Sequence, residues 1–132
     1  MPRPISDVTE AELAVLQVLW DRGTATIRQV TDIAYPQGRA SDYGTVQKLL
    51  ERLREKGHVS RERRDGAPHL FAATLDRDGL IGRSLQTMAE KLCDGSMTPL
   101  LTSLVRTERL SAEDRQALRR LVDELDGKGD RS

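Results

Sequence analysis

The sequence predicts a mainly α-helical fold with one small β-hairpin. Three observations predict it. Apolar residues recur at helical spacing in successive stretches, separated by glycine, proline or capping signals. Two short stretches of strand character, His58 to Arg64 and His69 to Leu75, flank the turn sequence Asp65-Gly66-Ala67-Pro68. Hydrophobic residues supply 37% of the chain and aromatics only 3%, a thin apolar supply that suggests some apolar surface is buried between subunits.

The elements follow in order. Residues 1–7 read as a loose tail: they are short, carry Arg3 and lack the apolar core of a signal peptide. Thr9-Glu10-Ala11-Glu12 has capping-box spacing and opens a helix from Glu10 to Arg22 that ends at Gly23. Leu13, Leu16 and Trp20 share one face, and Trp20, the single tryptophan, reads as a core anchor. Thr24-Ala25 is a short link. Thr26 to Gln29 repeats the capping-box pattern and opens a helix to Ala34, with Ile27, Val30 and Ile33 inward. Tyr35 to Arg39 is a loop, because Pro36 and Gly38 both interrupt helix.

The third helix, Asp42 to Lys56, is the centre of the pattern. Val46, Leu49, Leu50 and Leu53 sit at i, i+3, i+4 and i+7, so one face is buried. Ser41 or Asp42 can cap its start, and Gly57 suits the left-handed residue beyond its end. The hairpin follows, with Val59, Phe71 and Ala73 able to pack back on the helices. Helix, helix, helix, hairpin is the winged-helix arrangement.

After Leu75 the character changes. A helix from Asp76 to about Cys93 carries Ile81, Leu85, Met88 and Leu92 at four-three-four spacing. Asp94-Gly95-Ser96 interrupts it. Pro99 fits the first turn of a helix that buries Leu100, Leu101, Leu104 and Val105. Ser111 caps a last helix whose stripe is Leu118, Leu121, Val122 and Leu125. The domains expected are a winged helix over residues 6–75, a three-helix dimerisation domain over 76–126 and a disordered polar tail over 127–132. These stripes need a partner, and a symmetric dimer is the simplest one; packing against the winged helix is the alternative.

Charge points to a partner. The formal net charge is zero, which argues against indiscriminate polyanion binding. From Gln47 to Arg64, however, Lys48, Arg52, Arg54, Lys56, Arg61, Arg63 and Arg64 face only Glu51, Glu55 and Glu62. Taken alone such a run reads as a solvated face. Its position on the third helix and the hairpin gives it weight, because that helix enters the major groove in folds of this kind. Tyr43, Gly44, Thr45, Gln47 and Lys48 stand at the exposed start of that helix, where side chains reach base edges. Arg52, Arg61, Arg63 and Arg64 would meet phosphates, as would Thr26 and Arg28 at the start of the second helix.

Other chemistry is poorly supported. His58 and His69 read as wing surface or edge residues without an orienting partner, so no catalytic set is expected. The single Cys93 forms no internal disulfide, and no ligand pair has zinc-site spacing, so neither metal nor cofactor is expected. No apolar run reaches the roughly 18 residues of a membrane span, and a soluble cytoplasmic protein without membrane insertion is expected. A winged-helix adaptor that docks a protein and has no operator is the alternative function. The exposed basic face separates the two, because only a DNA binder needs it.

Leu13-Ala14-Val15-Leu16-Gln17-Val18-Leu19-Trp20, Thr45 to Gly57, Asp94-Gly95-Ser96 and Leu110-Ser111 together resemble the BlaI/MecI/CopY family of bacterial repressors over about residues 6–125. The resemblance implies a homodimer that blocks transcription from an inverted-repeat promoter operator on double-stranded DNA, controlling antibiotic-resistance or stress genes. In the β-lactam-responsive members a membrane sensor-protease system signals cleavage within the dimerisation domain. Ser103-Leu104 falls where those members carry Asn-Phe. The copper-responsive members have a cysteine-rich C-terminal motif, whereas residues 126–132 hold no cysteine. Tyr43-Gly44 stands where relatives often have Pro-Lys, which implies a different operator sequence.

Overall fold

The computed structural model describes residues 8–106 and 110–129. The expected N-terminal tail, residues 1–7, and residues 130–132 lie outside the described residues. The elements are α1 (Glu10–Arg22), α2 (Ile27–Ala34), α3 (Asp42–Glu55), β1 (Val59–Glu62), β2 (Leu70–Ala73), α4 (Arg77–Leu92), α5 (Thr98–Arg106) and α6 (Ala112–Gly129). They fall into two compact units that divide between Met88 and Ala89.

In the first unit both expected capping boxes form. The Glu12 backbone N–H donates to Thr9 Oγ1 at 3.1 Å, and the Thr9 N–H donates to Glu12 Oε1 at 2.9 Å. Thr26 and Gln29 repeat the exchange at the same distances. At α3 neither expected side-chain cap is made. Ser41 makes no capping bond, and Asp42 Oδ2 instead accepts from the Arg39 N–H at 2.9 Å, closing the preceding loop. Gly57, at φ +82°, ends α3 in the left-handed region that glycine adopts without strain.

The core gathers Val15, Leu16, Val18 and Leu19 of α1, Val30 of α2, and Val46, Leu49, Leu50 and Leu53 of α3. Val59 and Phe71 close it from the hairpin. Ile33, expected inward, is 49% exposed. The buried positions of α2 are Val30 and Thr31, which turns Ile33 outward on so short a helix. Thr31 is accommodated because its hydroxyl donates to the Ile27 carbonyl at 2.7 Å.

The strands pair antiparallel from Val59 opposite Ala73 to Glu62 opposite Leu70. They are shorter than expected, so the loop spans residues 63–69 rather than only Asp65 to Pro68. Arg64 Nε and Nη2 donate to the Pro68 carbonyl at 3.0 and 2.6 Å, holding this wider loop closed. The link at Ala25 is also more than a connection. Its N–H donates to the Phe71 carbonyl at 3.0 Å, and the Phe71 N–H donates back at 2.8 Å, adding a bridge on the far side of β2. His58 is buried, not a surface residue, because its backbone joins the end of α3 to the hairpin base: its N–H donates to Leu53 and its carbonyl accepts from Thr74 and Leu75.

Two long-range contacts tie this unit together. Trp20, half-buried against the core, donates from Nε1 to the Leu75 carbonyl at 2.8 Å, and the Arg77 guanidinium lies 5.2 Å from its ring centroid. Lys56 Nζ donates to both oxygens of Glu12, at 2.8 and 2.9 Å. The Glu12 side chain is 1% exposed and that of Lys56 32%. Burial pushes the Glu12 carboxyl up, but the Lys56 ammonium and the Thr9 N–H and hydroxyl together hold it below its ordinary value of 4.5. Leu80 joins the same core, so the first compact unit takes in the first turns of α4.

The second unit starts within α4. Asp94 at φ +49° and Gly95 at φ +86° make the turn into α5. Ser111 Oγ accepts from the Asp114 N–H at 3.0 Å and caps α6 as expected. α6 then runs to Gly129, through Gly127 where the polar tail was expected to begin. The α5 stripe expected to be buried is open in the single chain: Leu101 is 54%, Leu104 46% and Val105 59% exposed.

Replacing Lys56 with Met strands a buried carboxylate. It should destabilise the fold by roughly 3 kcal/mol, the low end for breaking a buried pair because the lysine end is part-exposed. Urea unfolding at neutral pH measures this. Since the folded Glu12 carboxyl titrates below the unfolded one, its stabilisation is complete above 4.5 and is lost as the pH falls through the lowered folded value. Glu12→Gln should therefore lose less stability than wild type as the pH is lowered from neutral to below 4.5.

Candidate nucleic-acid interface

The outward face of α3 follows from the burial of its inward face. With Val46, Leu49, Leu50 and Leu53 in the core, the 3.6-residue period sends Tyr43, Gly44, Thr45, Gln47, Lys48 and Arg52 to solvent. Thr45 is the most constrained of these, its Oγ1 donating to the Ser41 carbonyl at 3.1 Å. A Cβ added at Gly44 would meet no atom within 4 Å, so packing does not require glycine there. The result is a bare patch of helix between Tyr43 and Thr45.

The second helix contributes from the side. Thr26 caps α2, and the exposed Arg28 lays its guanidinium 5.1 Å from the Tyr43 ring centroid. The two helix starts are therefore joined through side chains.

The wing arginines differ from one another. Arg63 is exposed, in the loop and not on the strand. Arg64 spends Nε and Nη2 on Pro68. Arg61 turns back onto α3, its Nη1 3.6 Å from Glu51 Oε1 and its side chain only 18% exposed. Glu51 also accepts from Arg54 Nη1 at 3.0 and 3.1 Å. One carboxylate thus faces two of the cations that made the run look basic. The Glu51–Arg54 pair was readable from its i, i+3 spacing. The Glu51–Arg61 pair was not, because it depends on how the hairpin folds back.

The residues expected for dimerisation divide between the units. Ile81, Leu85 and Met88 belong to the first, where they line a groove with Leu13, Gln17 and Trp20. Leu92, Leu101, Leu104, Leu121, Val122 and Leu125 belong to the second and are exposed, while Leu118 is half-buried. Ser103 and Leu104 lie exposed within α5. Among the described residues no group of three His, Cys, Asp or Glu is placed to hold a metal ion, and no helix is long and apolar enough to cross a membrane.

A three-helix core, a hairpin wing and a solvent-facing third helix flanked by cations define a winged-helix DNA-binding regulator. The penicillinase repressor family model matches residues 8–124, and the chain belongs to that family, the one that the sequence resembles. It is 37% identical over 125 residues to the transcriptional regulator BlaI of Mycobacterium tuberculosis, covering 92% of this chain and 88% of that one. It is 20% identical to the penicillinase repressor of Bacillus licheniformis, covering 92% and 94% of the two chains. Among solved structures, YusO from Bacillus subtilis matches at 16% identity and TM-score 0.48, covering 92% of this chain and 76% of that one.

Glu51→Gln removes the carboxylate that Arg54 and Arg61 share. Because exposed ion pairs contribute only about 0–1 kcal/mol, melting should be close to wild type. Affinity for duplex DNA should rise several-fold as both arginines become available to phosphate. Fluorescence anisotropy with a labelled duplex measures it; unchanged affinity would show that neither arginine reaches the backbone.

Proposed function

We propose that this chain is a sequence-specific transcriptional repressor that binds an inverted-repeat promoter operator as a homodimer. The observation that carries the reading is the α3 face: six neighbouring positions from Tyr43 to Arg52 are exposed and free of core duties, on the helix that enters the major groove in winged-helix proteins. Membership of the penicillinase repressor family supports the same reading.

Tyr43, Gly44, Thr45, Gln47 and Lys48 would meet base edges, where lysine donates to guanine and glutamine pairs with adenine. Thr26, Arg28, Arg52 and Arg63 would fix the register on phosphates. Arg61 and Arg64 are second-rank contacts, because each is already engaged within the chain.

Dimerisation is supported by the apolar side chains that the single chain leaves open on α5 and α6. Leu101, Val105, Leu121 and Leu125 are each more than half exposed. Pairing two copies through such faces would join two weak half-site contacts and raise their effective concentration. Control by a sensor-protease, with a cut at Ser103–Leu104, fits that logic, since severing the dimer releases DNA. The pair lies within a helix, so cutting there needs α5 to open locally.

The first test is binding of the purified protein to its own upstream promoter fragment beside a scrambled duplex of equal length, over a salt series. A large preference for the promoter is expected, and equal weak binding to both would favour a protein-docking role. Arg52→Ala should weaken both complexes and lower the salt slope by about one. Leu121→Asp should give monomers with intact winged helices by light scattering; a mutant that stays dimeric would move the interface off α6.

A further inference from the structure

Between the starts of α2 and α3 and the wing loop lies an open cleft of about 380 Å³, with Thr26, Arg28, Tyr43, Pro68 and His69 on its walls. No acidic side chain lines it. Its one fixed cation is Arg28, whose guanidinium lies over Tyr43 and, among the described residues, has no carboxylate partner. The start of α2 is not itself the attraction, because the Thr26–Gln29 capping box already satisfies two of its backbone groups.

A guanidinium lying on a ring gives up its face but keeps its edge. All five N–H donors lie in the guanidinium plane, so an arginine whose charge rests 5.1 Å from a ring centroid still has a fork free to match a phosphate. The ring removes much of the side-chain freedom that an exposed arginine would otherwise lose on binding. The contact occupies one face of the ring, which leaves Tyr43 its other face and its hydroxyl.

We propose that this cleft seats one sugar–phosphate strand of the bound duplex, and that Tyr43 acts there as the platform that holds Arg28 edge-on to a phosphate. This rests on the DNA-binding reading above. It reassigns Tyr43 from a base-reading residue to a positioning residue that works through Arg28. The contact is independent of sequence, so it operates on any duplex.

The test uses the full chain and a labelled random-sequence duplex, titrated by anisotropy over a salt series, with the promoter fragment in parallel. Arg28→Ala should lower the salt slope by about one. Tyr43→Ala should weaken binding roughly two- to fivefold on both duplexes, the size of an exposed cation–ring contact. Tyr43→Phe keeps the ring and should bind as wild type. Tyr43→Leu keeps bulk without the ring and should behave as the alanine variant. In an Arg28→Ala background, Tyr43→Ala should cost nothing further. A Tyr43 loss that persists undiminished in that background, or that appears only on the promoter, would overturn the proposal and return Tyr43 to base contact. Wild-type protein that binds neither duplex would overturn the DNA-binding reading itself, whereas wild-type binding with additive losses overturns only the role given to Tyr43. Both side chains are exposed, and matching melting curves confirm that the variants fold.

Discussion

The first unit depends on one ion pair between residues far apart in sequence. Glu12 lies in the opening turn of α1 and Lys56 just past the end of α3, and their bond at 2.8 Å pins the end of the third helix to the start of the first. Gly57 then turns the chain, and His58 hands its backbone from Leu53 to the base of the hairpin. The angle at which the wing leaves α3 follows from these three consecutive residues. A buried carboxylate is costly unless it is fully bonded, and Glu12 is: it takes the lysine and also closes the capping box with Thr9. The same side chain thus closes the cap of one helix and holds the end of another.

Charge on the surface is arranged by a second carboxylate. Glu51 stands amid the basic run and engages Arg54 and Arg61; among the described residues Lys48, Arg52 and Arg63 face no carboxylate, and Arg64 is bonded only to the Pro68 carbonyl. In a chain of zero net charge the cations left open are therefore few and local: Lys48 and Arg52 on α3, and Arg63 in the wing loop. A protein built so has little long-range attraction to any polyanion, and its affinity for DNA must come from fit at the helix face. That is the balance a regulator needs, because indiscriminate phosphate binding would hold it on the many competing non-specific sites.

Local signals made the helices legible. The two S/T-x-x-E/Q boxes, the four-residue apolar stripe of α3 and the glycines at 23 and 57 each encode a boundary within a few residues of chain. The outward face of α3 was legible for the same reason, since it is the complement of a periodic stripe. What the sequence concealed was long-range. The Glu12–Lys56 bond spans 44 positions, the Trp20–Leu75 bond 55, and the Ala25–Phe71 bridge joins a link to a strand. Ile33 faces outward although it is apolar, because the phase of a short helix is set by its neighbours in space. The internal partners of Arg61 and Arg64 were hidden for the same reason, since the composition of the run is local and the fold of the hairpin is not.

Gly44 is the residue of α3 that internal packing explains least. Glycine in a helix costs about 1 kcal/mol relative to alanine, and at this position a methyl group would find open space. The fold therefore gains nothing from it. A surface that approaches another molecule closely does gain, because removing the side chain lets the partner reach the helix backbone. Gly44 sits beside Tyr43, whose ring is engaged by Arg28, and before Thr45, whose hydroxyl is turned back onto Ser41. The start of α3 thus presents a low, largely self-satisfied surface, and the long donors Gln47 and Lys48 project one turn further on. On the operator-binding reading, those two side chains have the longest reach to base edges, while the first turn sets how deeply the helix can lie in the groove.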